Sequence, residues 1–153
     1  MKKIIAGLTL AAITAFAMPN NEGELVLIAK MAEKKAVVLA TMGLNGEKKD
    51  HFGSLYDEYQ GKMAELVAKK LDIIAEYAAH YQDLDNKTAS SLMKKWAGVQ
   101  EEALKLQETY AKKFEKFLSP VEVLRYMQIE NRFKVAREFS VAQLVPLATP
   151  KTK

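Results

Sequence analysis

Residues 47–81 read EKKDHFGSLYDEYQGKMAELVAKKLDIIAEYAAHY and set the architecture of the whole chain. Their apolar residues recur at intervals of three and four without a proline, which is the spacing of one helix face. At 1.5 Å per residue, about 35 helical residues span roughly 52 Å. A compact chain of this length has a radius of gyration of only about 14 Å. We therefore expect a helix that is longer than a compact packing of its own chain allows.

Three further amphipathic patterns predict an all-α fold with four helices. The first covers residues 22–42, and the fourth begins at Pro120 and ends near Leu144. The third follows a turn at residues 84–86 and resembles a coiled-coil seam, because its apolar residues alternate between intervals of three and four: Leu92, Trp96, Val99, Ala103, Leu106, Tyr110, Phe114 and Phe117. We expect the second and third helices to form a long antiparallel hairpin, with the first and fourth packed along part of its length.

Two helix starts carry related capping signals. Ser119 can accept a hydrogen bond from the Glu122 N–H while Glu122 reaches back to the Ser119 N–H, and proline at the first helical position loses no helical partner. At the start of the second helix, Lys48 stands where the reciprocal acid would be, so that cap should be weaker. The predicted structural motif comprises Leu44, Asn45, Leu118, Ser119, Pro120 and Glu122.

The composition is that of one ordinary domain: 153 residues, 49% hydrophobic, 27% charged and without cysteine. The absence of cysteine excludes disulfides and thiolate metal sites. Lysine and glutamate are interleaved along the chain, whereas nucleic-acid binding needs a clustered positive footprint. We therefore expect no nucleic-acid partner.

The first residues have the pattern of a secretory signal peptide. Lys2 and Lys3 precede an apolar stretch that is shorter than the roughly 20 residues of a membrane-spanning helix and ends in Ala15-Phe16-Ala17. We expect residues 1–17 to be removed on export to the periplasm, with a retained membrane anchor as the alternative. The remaining chain would comprise an all-helical domain, residues 18–144, and a C-terminal tail, residues 145–153, without a stable membrane span.

No pattern in the chain indicates a catalytic residue, a cofactor or a metal site, so we do not expect an enzyme. His51 and His80 would lie about 43 Å apart on one helix, too far to share a metal ion. The methionines occur singly and are expected to fill the core, and Trp96 is expected to anchor it. The fourth helix carries four polar residues near its middle, at least one of which must face neighbouring helices: Arg125, Gln128, Glu130 and Asn131.

The two helix starts, Leu44-Asn45-Gly46-Glu47-Lys48 and Leu118-Ser119-Pro120-Val121-Glu122, resemble the paired L-T-x-x-Q motifs of the Spy/CpxP family of periplasmic helical proteins. Asn45 and Lys48 replace the threonine and glutamine of the first copy, and serine and glutamate replace them in the second. The similarity covers residues 40–140. It implies an all-helical, dimeric, cradle-like protein from a group of ATP-independent chaperones, an envelope-stress inhibitor and metal-linked relatives.

The expected function is therefore to bind unfolded or stress-damaged protein clients as an ATP-independent chaperone. The alternatives are an envelope-stress sensor or adaptor for one protein partner, and a metal-responsive relative. A client-binding surface needs apolar patches mixed with charge. The two long helices supply lysines beside methionine and tyrosine: Lys62, Lys69, Lys70, Lys94, Lys95, Lys105, Lys112, Lys113 and Lys116. A homodimer would cover the apolar surface that the elongated shape leaves exposed.

Overall fold

The computed structural model describes the backbone of residues 21–149 and the side chains of residues 30–149. Within this part of the chain there are four α-helices and no β-strand, which confirms the all-α prediction. The helices are α1 Asn21–Met42, α2 Gly46–His80, α3 Asn86–Phe114 and α4 Pro120–Leu144. The predicted signal peptide, Met18 and the end of the predicted tail, residues 150–153, lie outside the described residues.

Helix α2 is continuous, as predicted, and lies antiparallel to α3. Three ion pairs fix the register: Glu58 with Lys113 at 2.9 Å, Lys69 with Glu102 at 2.5 Å, and Glu76 with Lys95 at 2.5 Å. Successive pairs are 11 and 7 residues apart along α2, and 11 and 7 residues apart in the reverse direction along α3. Both intervals are close to whole numbers of helical turns, so the two helices keep the same faces together.

The turn between these helices is short and capped. A single 3₁₀ turn, Tyr81–Asp83, follows α2. The Asp85 carboxylate then accepts a hydrogen bond from the Thr88 N–H at 2.7 Å at the start of α3. The carboxylate satisfies one of the N–H groups that a helix start leaves without a helical partner.

The main core lies at the end of the bundle where α2 and α4 begin. Phe52, Phe114 and Tyr126 form its centre, with ring centroids 4.8 to 5.3 Å apart. This close, angled packing is the favourable geometry for aromatic rings. The buried residues come from all four helices and their connections: Val38, Met42, Leu44, Phe52, Tyr56, Tyr59, Tyr110, Phe114, Leu118, Val123, Tyr126 and Ile129.

A second, smaller core lies between α2 and α3 toward the turn that joins them. Its buried residues are Leu66, Ile73, Leu92 and Val99, and the half-buried Met63 and Leu106 pack against both cores. Helix α4 follows α2 into this region, where Lys70 pairs with Glu138 at 3.2 Å and the Tyr77 hydroxyl donates to the Pro146 carbonyl at 2.8 Å. The fourth helix therefore accompanies the α2–α3 pair farther than we expected.

The prediction that Trp96 anchors the core is wrong. Its side chain is 38% exposed, with the Lys70 Nζ 5.4 Å from the ring centroid. At this level the buried side chains come from α2 and α3, and the indole ring lies outside this core, beside Lys70. The methionine prediction also fails in part, because Met31 and Met93 are exposed, whereas Met42 is buried and Met63 and Met127 are half-buried.

None of the helices in the described part of the chain has the length and apolarity needed to cross a membrane.

Candidate functional site

The residues of the predicted structural motif meet at one end of the bundle. Leu44 and Leu118 are buried in the main core. Ser119 and Glu122 form the predicted capping box, in which the Ser119 N–H donates to the Glu122 carboxylate at 2.7 Å and the Glu122 N–H donates to the Ser119 hydroxyl at 3.3 Å. Pro120 is the first residue of α4, and Asn45 precedes α2 without a capping hydrogen bond from its side chain.

Lys48 connects the two motif copies. Its Nζ lies 2.7 Å from each carboxylate oxygen of Glu122. The Lys48 ammonium and the Ser119 N–H together lower the pKa of Glu122 to about 2, because both interactions favour the ionised carboxylate. The motif thus joins the start of α2 to the start of α4.

The two histidines take part in local packing. The His51 ring stacks on Phe117 with centroids 4.1 Å apart, and a ring nitrogen of His80 lies 2.8 Å from the Glu76 carbonyl oxygen. Among the described residues, no three histidine or acidic side chains come together to form a group that could hold a metal ion.

A polar cluster lies beside the main core, where α1, α2 and α4 approach one another. The Lys34 Nζ donates to the Gln60 Oε1 at 2.8 Å and to the Glu130 Oε2 at 2.7 Å. The Gln60 amide in turn donates to the Tyr126 hydroxyl at 3.4 Å. Glu130 is thus the inward-facing polar residue that we expected in the middle of the fourth helix.

Glu130 retains one unused acceptor. Its side chain is only 14% exposed, and its buried Oε1 has no hydrogen-bond partner in the described part of the molecule. A buried carboxylate oxygen without a donor is unfavourable, since it has lost its hydration without replacement. Burial, reinforced by the negative charge of Glu130, raises the pKa of the nearby Tyr59 to about 12 and also raises the pKa of Tyr126. These hydroxyls are therefore neutral at physiological pH.

The polar cluster opens into a cleft between α4 and the α2–α3 pair, which we call the central cleft. Its volume is about 130 Å³. Apolar side chains from α2, α3 and α4 line one part, including Met63, Leu66, Val67, Leu104 and Met127. Polar and charged side chains complete the lining: Lys34, Gln60, Lys70, Gln100, Gln107, Glu130, Asn131, Lys134 and Arg137.

The acids and the cations of α4 differ in whether they have a partner in the described residues. Each of its acids pairs with a lysine from α1 or α2: Glu122 with Lys48, Glu130 with Lys34 and Glu138 with Lys70. By contrast, Arg132, Lys134 and Arg137 form no ion pair with any acid in residues 30–149. The surface of α4 is consequently cationic although the helix itself carries both signs of charge.

Another side of α4 presents an exposed apolar stripe, consisting of Val121, Leu124, Val135 and Phe139. At about 100° per residue, these four positions fall within about 60° of the helix circumference. Phe139 is 64% exposed. Because the core residues Val123, Tyr126 and Ile129 occupy the opposite side, α4 is apolar both toward the core and away from it.

The lysines that we expected to bind clients are partly engaged with acids, and sequence reasoning did not include the cations of α4. Five of the nine lysines that we expected to bind clients are neutralised by acids: Lys69, Lys70, Lys95, Lys105 and Lys113. The cations of α4 were missed because acids and bases alternate along that helix. Only the partners of the acids, 68 to 96 residues away in the chain, show which charges remain free.

The chain matches no protein-family model, no curated protein and no solved structure.

Proposed function

We propose that this protein binds unfolded or stress-damaged polypeptides without ATP, as a chaperone in the periplasm. The observation that carries the proposal is the combination, around the central cleft, of apolar side chains with Lys134 and Arg137, two cations that form no ion pair within residues 30–149. Unfolded chains expose apolar groups together with charge, and a surface with both properties holds them through several weak contacts. The motif residues support this function indirectly, because they fix the start of α4.

Export to the periplasm is part of the proposal and is supported by the signal pattern in residues 1–17. N-terminal sequencing of the protein recovered from cells should begin at Met18. A chain recovered with residues 1–17 in place would contradict export with cleavage.

The test of chaperone activity uses several unrelated proteins that aggregate after dilution from denaturant. The purified chain at near-stoichiometric amounts, without nucleotide, should lower the light scattering of more than one of them. Added salt should reduce this protection, because screening weakens attraction between the cations and acidic clients. Protection of none of the clients would contradict the proposal.

A specific adaptor for one envelope protein is the second candidate. It is favoured by the small volume of the central cleft, about 130 Å³, which suits one defined side chain better than many. Crosslinking in the periplasm should then recover one dominant partner, whereas a general chaperone yields many. The metal-responsive alternative has no supporting group of ligands in the described residues.

We also propose that two copies pair through the apolar stripe of α4. The stripe lies on a different side of α4 from the central cleft, so pairing leaves the cleft open. If the two α4 helices pair antiparallel, Val121 of one copy lies opposite Phe139 of the other, and the apolar residues at both ends of the stripe are covered.

A further inference from the structure

We infer that the central cleft is an anchor site for a polypeptide segment in which one large apolar side chain is flanked by acidic residues. This inference deepens the proposed function and rests on it. Three properties of the cleft carry it: its size, its unused hydrogen-bonding groups and the sign of its charge.

The size of the cleft suits one side chain. An apolar cavity of about 150 Å³ accommodates one benzene molecule, and the central cleft measures about 130 Å³. Met63, Leu66 and Val67 of α2 and Leu104 of α3 supply apolar contacts. A leucine or phenylalanine side chain therefore fits, whereas a folded surface or a long acyl chain does not.

The polar groups of the cleft suit a peptide backbone. Three side-chain amides line the cleft, those of Gln100, Gln107 and Asn131, and each can donate to a backbone carbonyl and accept from a backbone N–H. Gln100 and Asn131 make no side-chain hydrogen bond within residues 30–149, and the Gln107 amide contacts only the Met127 sulfur at 3.7 Å. An extended backbone offers N–H and C=O groups to all three amides along its length, whereas a fatty acid offers only its terminal carboxylate, so the amides favour a polypeptide.

The charge of the cleft favours acidic residues on either side of the bound apolar side chain. Lys34 is paired with Glu130, and Lys70 is paired with Glu138. Lys134 and Arg137 have no acid partner in the described part of the chain and, three residues apart on α4, project from neighbouring positions. Acidic residues on the bound segment would form ion pairs with these two cations, whereas basic residues would be repelled.

The test uses fluorescence anisotropy with an end-labelled peptide in which one phenylalanine stands between two pairs of aspartates. Three matched peptides replace the phenylalanine by alanine, the aspartates by asparagine, or the aspartates by lysine. The parent peptide should bind about tenfold or more tightly than each of the alanine and lysine peptides. Its advantage over the asparagine peptide should shrink in 1 M salt. Equal binding of all four peptides would overturn the inference.

Protein variants locate the binding to the cleft. The double variant Lys134→Glu/Arg137→Glu should weaken binding of the parent peptide about tenfold or more. The control Lys49→Glu/Lys87→Glu makes the same charge change on exposed positions near the starts of α2 and α3, outside the cleft, and should leave binding unchanged. Val67→Phe should fill the cleft and remove the preference for phenylalanine over alanine while leaving the preference for aspartate over lysine. Melting temperatures check that each variant is folded.

The two proposals can fail separately. If the Lys134→Glu/Arg137→Glu protein protects aggregating clients as well as the unchanged protein does, the anchor site is wrong and the chaperone function stands. If the peptide preferences hold and no client is protected, the site stands and the chaperone function is wrong.

Discussion

The Lys48 ammonium lies 2.7 Å from both carboxylate oxygens of Glu122, so the starts of α2 and α4 are joined by one ion pair. Lys48 occupies the position from which an acid would cap α2, and the Asn45 side chain makes no capping hydrogen bond. The start of α2, which has the weaker cap, is thereby stabilised by its ion pair with the start of α4. Glu122 caps α4 and binds Lys48 at the same time, so one carboxylate serves both helix starts.

Acid should destabilise the protein through Glu122. Its pKa is lowered from 4.5 to about 2 in the folded state, so the unfolded chain binds more protons than the folded chain between these values. The stabilisation is present above about pH 4.5 and is lost as the pH falls toward 2. In Glu122→Gln, thermal melting followed by circular dichroism should vary less with pH over this range than in the unchanged protein.

Glu108→Gln is the matched control, because Glu108 is exposed and forms no ion pair with the residues whose side chains are described. This variant should keep the pH dependence of the unchanged protein. If Glu122→Gln and Glu108→Gln have the same melting profile between pH 2 and pH 5, the ion pair with Lys48 does not contribute to stability.

The main core should dominate the free energy of unfolding. Phe52 is fully buried between Phe114 and Tyr126, and its replacement by alanine leaves a cavity in the aromatic centre. We expect Phe52→Ala to lower the free energy of unfolding by about 3–5 kcal/mol, measured by urea denaturation. Met93→Ala shortens a side chain that is 68% exposed and belongs to neither the apolar stripe nor the central cleft, so it should cost less than about 0.5 kcal/mol. Equal losses would mean that the aromatic centre is not the main core.

The helices could be predicted from the sequence, but the side-chain partners that join them could not. The continuous apolar spacing of α2 and the cap at Ser119 are local signals, and the bounds of these helices agree with the structure to within one residue. The pairing of Lys34 with Glu130 joins residues 96 positions apart, and no local pattern contains it. The exposure of Trp96 likewise depends on which helices pack around that part of the bundle.

Helix α4 illustrates the same limit for the candidate site. It is apolar on two opposite sides, so periodicity alone could not separate the core residue Tyr126 from the exposed Phe139. The central cleft arises where α4 meets the α2–α3 pair, and its lining comes from all four helices. Only the packed structure brings these side chains together.

The stability contributed by Lys34 and Glu130 should depend on both residues being present. Lys34→Met removes the donor to the Glu130 Oε2 and leaves a largely buried carboxylate whose Oε1 already lacks a partner in the described residues. We expect this variant to lower the free energy of unfolding by about 1–3 kcal/mol. In the double variant Lys34→Met/Glu130→Leu no charge remains buried, so the loss should be smaller than in the single variant. Urea denaturation of both variants measures the difference, and a larger loss in the double variant would contradict this account.

The apolar stripe of α4 should control self-association. Val135→Asp/Phe139→Asp places two charges on the stripe, and burying them in a dimer interface without partners is strongly unfavourable. Sedimentation equilibrium should give twice the chain mass for the unchanged protein and the single chain mass for this variant. Val37→Asp alters an exposed apolar residue of α1 that is not part of the stripe, and it should remain dimeric. If the unchanged protein is monomeric at all concentrations measured, or if the stripe variant still dimerises, α4 does not form the interface.

Because the central cleft lies on another side of α4, a monomeric stripe variant should still bind the acidic phenylalanine peptide. The same variant therefore separates self-association from client binding.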